Sequence, residues 1–208
     1  MMPEHKLPKI GWGDVVAVGA RAIPKEGIRR LELNDVADEL GVDEAAVKYW
    51  FEDIGQVLVA VMEIRKNWFL DEARARMAPF ETQTERMRAF IELSAADHDA
   101  IFWIELWRLA TTDESARRAR QSLADSYRRI IAGMVRAGQR SGEFGPASPD
   151  KVALVLAALI SGLSVNATLD DPEVTPEAML DTLLRVTEGL LQVEGLRTSG
   201  RSSKDVAV

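Results

Sequence analysis

The chain has 208 residues, 47% of them hydrophobic, with 26 Lys and Arg against 33 Asp and Glu for a formal net charge of −7. This composition is ordinary for a globular protein, and a chain of this length buries roughly 70% of its unfolded surface, enough for a core without staples. Cysteine is absent, which excludes disulfide frameworks, thiolate metal sites and cysteine nucleophiles.

The elements read in chain order as helices, and no run alternates as a strand. About nine are predicted, over 13–25, 33–40, 44–50, 54–78, 83–97, 99–110, 112–141, 149–169 and 176–194, so the fold class is all-α. The first residues lack the charged, apolar and small-residue triplet of a secretory signal. Thr111 and Glu114 have capping-box spacing before the seventh helix. Gly138 and Gly142 stop that helix near Ser141. Ser148-Pro149-Asp150 and Thr175-Pro176-Glu177 each place a hydroxyl N-cap, a first-position proline and an acid at a helix start. The longest apolar run, Val152–Val165, is too short to span a bilayer and includes Ser161, Gly162 and Ser164. A soluble, cytoplasmic protein with no membrane partner is expected. Residues 197–208 are polar and expected to be a disordered tail.

Residues 33–50 hold two short helices joined by Leu40-Gly41-Val42-Asp43. Gly41 suits the left-handed turn that ends the first, and Asp43 suits the N-cap of the second. Val36, Ala37 and Leu40 pack one helix, while Val42, Val47 and Phe51 pack the other. Glu44, Ala45, Lys48 and Tyr49 are left pointing outward. A helix–turn–helix presents its second helix to the major groove in this manner, and an ordinary αα corner has the same pattern.

The stretch Leu31–Phe51, reading LELNDVADELGVDEAAVKYWF, resembles the helix–turn–helix of the TetR family of bacterial transcriptional regulators. Val15-Val16-Ala17 and Glu26-Gly27 fall where that family has its first helix and Gly turn. Three short helices, one long linking helix and a larger helical domain complete the likeness. The resemblance implies a DNA-binding domain over residues 1–53 and a ligand-binding and dimerisation domain over 54–196. It implies a ligand-responsive homodimer, a repressor released from a two-fold symmetric operator by a small molecule. The expected DNA contacts are Asn34, Glu44, Ala45, Ala46, Lys48 and Tyr49, with Arg29 and Arg30 from the loop. Lys6 and Lys9 would add contacts from an N-terminal arm.

Several positions depart from the family pattern. Glu32 stands where a phosphate-touching Thr or Ser is usual, and Asp43 and Glu44 add acid at the next helix. Glu52-Asp53-Ile54-Gly55 replaces Pro-Ser-Lys-Glu, so a backbone-gripping lysine is missing. Residues 1–53 carry 7 Lys and Arg against 11 Asp and Glu, a balance of −4. Phosphate neutralisation supplies most non-specific affinity, so weak or selective DNA binding is expected. The alternative is a helical dimer that binds a small ligand or a protein and has largely lost its DNA affinity.

Beyond residue 54 the resemblance implies an effector pocket enclosed by the middle helices. Aromatics with a few polar groups suit a small molecule, and the candidate lining is Trp68, Phe90, Ser94 and His98, with Trp103, Trp107 and Tyr127. Helix 149–169 is apolar almost all round and needs cover on every side. Helix 176–194 covers part of it, and a second chain completes a four-helix bundle, with burial inside one chain the alternative. Leu156, Ala157, Ile160 and Leu163 are the expected interface on the first helix, with Leu180, Leu183, Leu184 and Leu191 on the second. No cofactor, metal site or enzymatic constellation is expected. Only His5 and His98 could serve a triad, and neither a Gly-x-Ser-x-Gly elbow nor a His-Glu-x-x-His motif occurs.

Overall fold

The computed structural model describes residues 9–96 and 100–196, and these form nine helices and no strand. The helices are α1 (Trp12–Glu26), α2 (Leu33–Leu40), α3 (Glu44–Lys48), α4 (Ile54–Met77), α5 (Gln83–Ala96), α6 (Ile101–Ala110), α7 (Glu114–Ser141), α8 (Pro149–Thr168) and α9 (Pro176–Leu191). Lys6, His98 and the predicted tail 197–208 lie outside the described residues.

The boundaries follow local chemistry, with two refinements. Asp113, rather than Thr111, caps α7, since its carboxylate accepts from the Ala116 amide at 2.7 Å. The hydroxyls of Thr111 and Thr112 instead donate back to carbonyls of the last turn of α6. Of the two hydroxyl–proline starts, Thr175 accepts from Ala178 at 3.2 Å, whereas Ser148 makes no side-chain cap bond. Gln192 takes the left-handed conformation at φ 51°, which ends α9.

Packing divides the chain into two compact units: Met1–Trp68 with Ile101–Leu123, and Phe69–Ala100 with Ala124–Val208. Neither boundary coincides with residue 53. The first unit holds α1–α3, the start of α4, α6 and the start of α7. Its core joins Val15, Ile23, Val36, Val47 and Phe51 to Leu58, Met62, Phe102, Leu106 and Leu123. α1 crosses α4 so closely that a Cβ at Gly19 would stand 2.4 Å from Val57. The Arg65 guanidinium lies 4.6 Å over the Phe102 ring, a cation–π contact.

In the second unit, α9 packs on α5 and α8. The core includes Met87, Phe90, Ile131, Val135, Phe144, Leu156, Met179 and Leu183. By length and composition alone, α8 is apolar enough to cross a membrane. Val152, Ala153, Leu156, Ile160 and Ser164 on it are nevertheless buried within the unit. A helix with core on one side and apolar groups on the other requires further cover.

Candidate nucleic-acid interface and effector region

Local rules build the surface around α3. The N-terminus of α2 is closed by a short reciprocal link, in which the Glu32 amide donates to the Asp35 carboxylate at 2.7 Å. α2 ends at Gly41, whose φ of 66° and ψ of 37° place it in the left-handed region that glycine tolerates. Asp43 then caps α3 by accepting from the Ala46 amide at 2.9 Å. Val47 is fully buried and Phe51 nearly so. The turn is thereby locked, and the other side of α3 faces outward.

That outward side carries Glu44, Ala45, Lys48 and Tyr49. Ala45, Lys48 and Tyr49 are exposed, and Glu44 and Ala46 are half-buried. Lys48 is not a free cation: its ammonium sits 3.0 Å from the Glu44 carboxylate, one turn earlier. Asn34 is exposed on α2 and donates to Asp38 at 3.3 Å. Arg29 and Arg30 are exposed on the loop after α1. Arg29 also lines an open groove of about 390 Å³ with Asp53, Gln56, Arg108 and Asp113, over a floor of Ile28, Ile54 and Leu109. Arg21, a further cation of this region, is held by Glu39 at 2.6 Å. Lys48 and Arg21 are thus both paired with carboxylates, and α3 itself carries no open basic stripe.

The candidate effector residues divide between the units. Trp103 and Trp107 are half-buried in the first, where Trp103 packs on that unit's core. Trp68, also of the first unit, is 62% exposed. Phe90, Ser94 and Tyr127 belong to the second. There Phe69 and Tyr127 stack with centroids 4.6 Å apart, and Phe90 meets both edge-on at 5.9 and 6.4 Å. Ser94 is buried and its hydroxyl donates to the Phe90 carbonyl at 2.9 Å. Phe69, next to Trp68 in sequence, is the member of this cluster that the candidate lining omits. Its helical phase separates the two neighbours, since a step of one residue turns about 100° around the axis. Among the described residues, no group of three acidic or His side chains could hold a metal ion.

The expected interface residues divide by burial. Leu156, Ile160, Leu183, Leu184 and Leu191 are all buried within a single chain, in the core of the second unit. The physical reason is that α9 lays its leucines on α5 and α8. Ala157, Leu163 and Leu180 are half-buried. Exposed apolar surface on α8 comes instead from Leu154, Val155 and Ala158, with Gly162 in the same row.

Against these features stand the comparisons with known proteins. The model of the BetI-type transcriptional repressor C-terminal domain matches residues 81–192, more than half of the chain. The chain belongs to the TetR family. This TetR-family chain is a transcriptional regulator, and its fold recurs in solved relatives. A TetR-family regulator from Rhodococcus sp. is 25% identical with a TM-score of 0.70, and the match covers 86% of this chain and 97% of that one. A transcriptional regulator from Saccharomonospora viridis, solved with choline, is 22% identical with a TM-score of 0.77, covering 85% and 95%. AibR, solved with isovaleryl coenzyme A and operator DNA, is 18% identical with a TM-score of 0.60, covering 86% and 97%. No curated protein matches the sequence.

Proposed function

We propose that this TetR-family regulator is a homodimeric, ligand-released repressor that reads its operator through α3. It acts in the cytoplasm and carries regulation rather than catalysis. One observation carries the reading: the Gly41 turn and the Asp43 cap fix α3 so that Val47 and Phe51 face the core while Ala45, Lys48 and Tyr49 stand in solvent. Ala45 and Ala46 leave room for close approach to base edges. Lys48 suits a guanine edge or a phosphate, Glu44 a cytosine amino group, and Tyr49 a phosphate oxygen. Asn34, Arg29 and Arg30 flank that surface as backbone contacts.

Dimerisation is assigned to the outer face of α8, through Leu154, Val155, Ala158 and Gly162, with Ala157, Leu163 and Leu180 at its margin. The effector is assigned to the second unit, beside Tyr127, Phe90, Phe69 and Ser94. It acts by binding more tightly to a dimer whose two α3 helices are misplaced for the operator spacing, since equal affinity for both states shifts nothing. The neighbours solved with choline and with isovaleryl coenzyme A make small organic cations and acyl thioesters the first effectors to try.

A second reading has its own support. Lys48 is engaged by Glu44, and the surrounding surface is acidic, as in a helical dimer that has lost DNA. One titration separates the two. The protein is mixed with duplex from the region upstream of its own coding sequence, at low and moderate salt. Specific retention at both salts is the expected outcome, with weak retention of unrelated duplex. A folded dimer that binds neither duplex selects the second reading. Lys48→Ala weakens binding to all sequences, while Glu44→Ala strengthens unrelated duplex relative to the operator. An i, i+4 ion pair on a helix surface is worth only about 0.3–0.5 kcal/mol, so DNA can break it.

A further inference from the structure

The chain entering α1 is tied to the end of the reading helix. The Trp50 indole N–H donates to the Ile10 carbonyl at 3.1 Å, across forty residues of sequence. Ile10 and Trp50 both pack on the core of the first unit, and the Trp12 ring lies 6.1 Å from Phe51. On its other side the Trp50 ring meets Tyr49 edge-on, with centroids 4.9 Å apart. Tyr49 is the C-cap of α3 and is 53% exposed. Ile10, Trp50 and Tyr49 therefore form a row from the start of α1 to the surface that bears Lys48. Lys9 precedes Ile10 and is exposed.

Charge gives that position its meaning. Arg21 and Lys48 are each neutralised by a carboxylate within 3.0 Å. Lys9 forms no ion pair among the described residues, and the carbonyl of the residue after it, Ile10, is tied to Trp50 just beyond α3. A cation held in place before binding loses less freedom when it meets a phosphate than one on a free chain. We propose that Lys9 is a DNA-backbone contact of this regulator and that Trp50 is its positioning residue, acting through the indole bond to Ile10. The proposal rests on the DNA-binding reading above.

The test uses the full chain as wild type, Lys9→Gln, Trp50→Phe and the double variant, with salt titrations on the upstream duplex and on an unrelated duplex of equal length. Trp50→Phe keeps an aromatic ring in the packed position and removes the donor along with part of the indole's volume, so urea midpoints are measured alongside to separate lost packing from the lost bond. One lost phosphate contact lowers the slope of log affinity against log salt by about one and weakens binding about eightfold at 0.1 M salt. Lys9→Gln is expected to show that loss on both duplexes, because a phosphate contact carries no sequence information. Trp50→Phe is expected to lose part of the same slope, and to add nothing in the Lys9→Gln background. An unchanged slope in Lys9→Gln, with wild type binding, overturns the Lys9 assignment and leaves the DNA-binding reading standing. Equal losses from Trp50→Phe in both backgrounds mean that Trp50 acts by packing alone, which overturns its positioning role. A wild-type chain that binds neither duplex overturns the DNA-binding reading and this proposal with it.

Discussion

Glu143 caps a helix that lies sixty residues earlier in the chain. Its carboxylate accepts from the amides of Gln83 and Thr84 at 3.0 and 2.9 Å, and from the Thr84 and Ser141 hydroxyls at 3.0 and 2.8 Å. Partial burial pulls its acidity toward a higher pKa, but these four hydrogen bonds outweigh that effect and hold the group below the ordinary glutamate value. A depressed folded pKa means stability that is present above the unfolded value and lost as pH falls through the folded one. Glu143→Ala is expected to cost about 1–2 kcal/mol, the range of a lost N-cap, in urea unfolding at pH 7. The gap to wild type should close as pH drops below roughly 4.3, the usual glutamate pKa. A gap independent of pH would contradict the carboxylate's role. Sequence patterns find caps that lie beside their helix, as at Asp43, and miss this one because the acceptor arrives from another loop. The same limit hides the Glu44–Lys48 pair only in part. Their spacing of four is legible, but whether each side chain turns to its neighbour or to solvent depends on rotamers.

At the scale of elements, the helix boundaries were the most legible feature, because Gly41, Gly142, Pro149 and Pro176 impose backbone conformations that context rarely overrides. α3 and α9 end earlier than their apolar pattern suggests, at Lys48 and Leu191, where the chain turns before the hydrophobic residues run out. The C-terminus of α7 shows a second kind of glycine. A Cβ at Gly138 would stand 2.1 Å from Cδ2 of the buried Phe144 ring, whereas one at Gly133 would meet nothing within 4 Å. Both lie inside α7, so alanine gains about 1 kcal/mol of helix propensity at each. Gly133→Ala is expected to keep that gain. Gly138→Ala must displace Phe144, and overpacking costs typically 1–3 kcal/mol, so its net effect is destabilising. Urea midpoints of the two variants should therefore move in opposite directions, and a parallel shift would refute the packing argument.

For the molecule as a whole, the sequence pattern revealed that α8 needs cover on every side but not which side each neighbour covers. An all-round apolar helix has no polar stripe to orient it, so the large leucines were natural candidates for a partner's surface. Leu156, Leu183, Leu184 and Leu191 lie in the chain's own core, Leu163 and Leu180 are half-buried, and Leu154, Val155 and Ala158 face outward. Leu154 is 53% exposed and Val155 43%, a poor arrangement for a lone chain in water. Val155→Glu is expected to shift the protein from dimer to monomer in sedimentation, with helical content retained. Leu183→Ala, in contrast, should lower stability by about 2–5 kcal/mol through a core cavity. A Val155→Glu chain that remains dimeric would move the interface elsewhere. The division of the candidate effector residues between two units was equally invisible, since helical periodicity reports faces and not which helices share a core.

The carboxylate that Lys48 carries with it also bears on how this regulator searches a chromosome. A non-specific landing that uses Lys48 first draws its ammonium from Glu44, at a cost of only about 0.3–0.5 kcal/mol. Sliding along the duplex feeds on such encounters, so the pairing of Lys48 shortens each scan of bulk DNA by a small factor and leaves the operator, where Glu44 has its own partner, comparatively favoured.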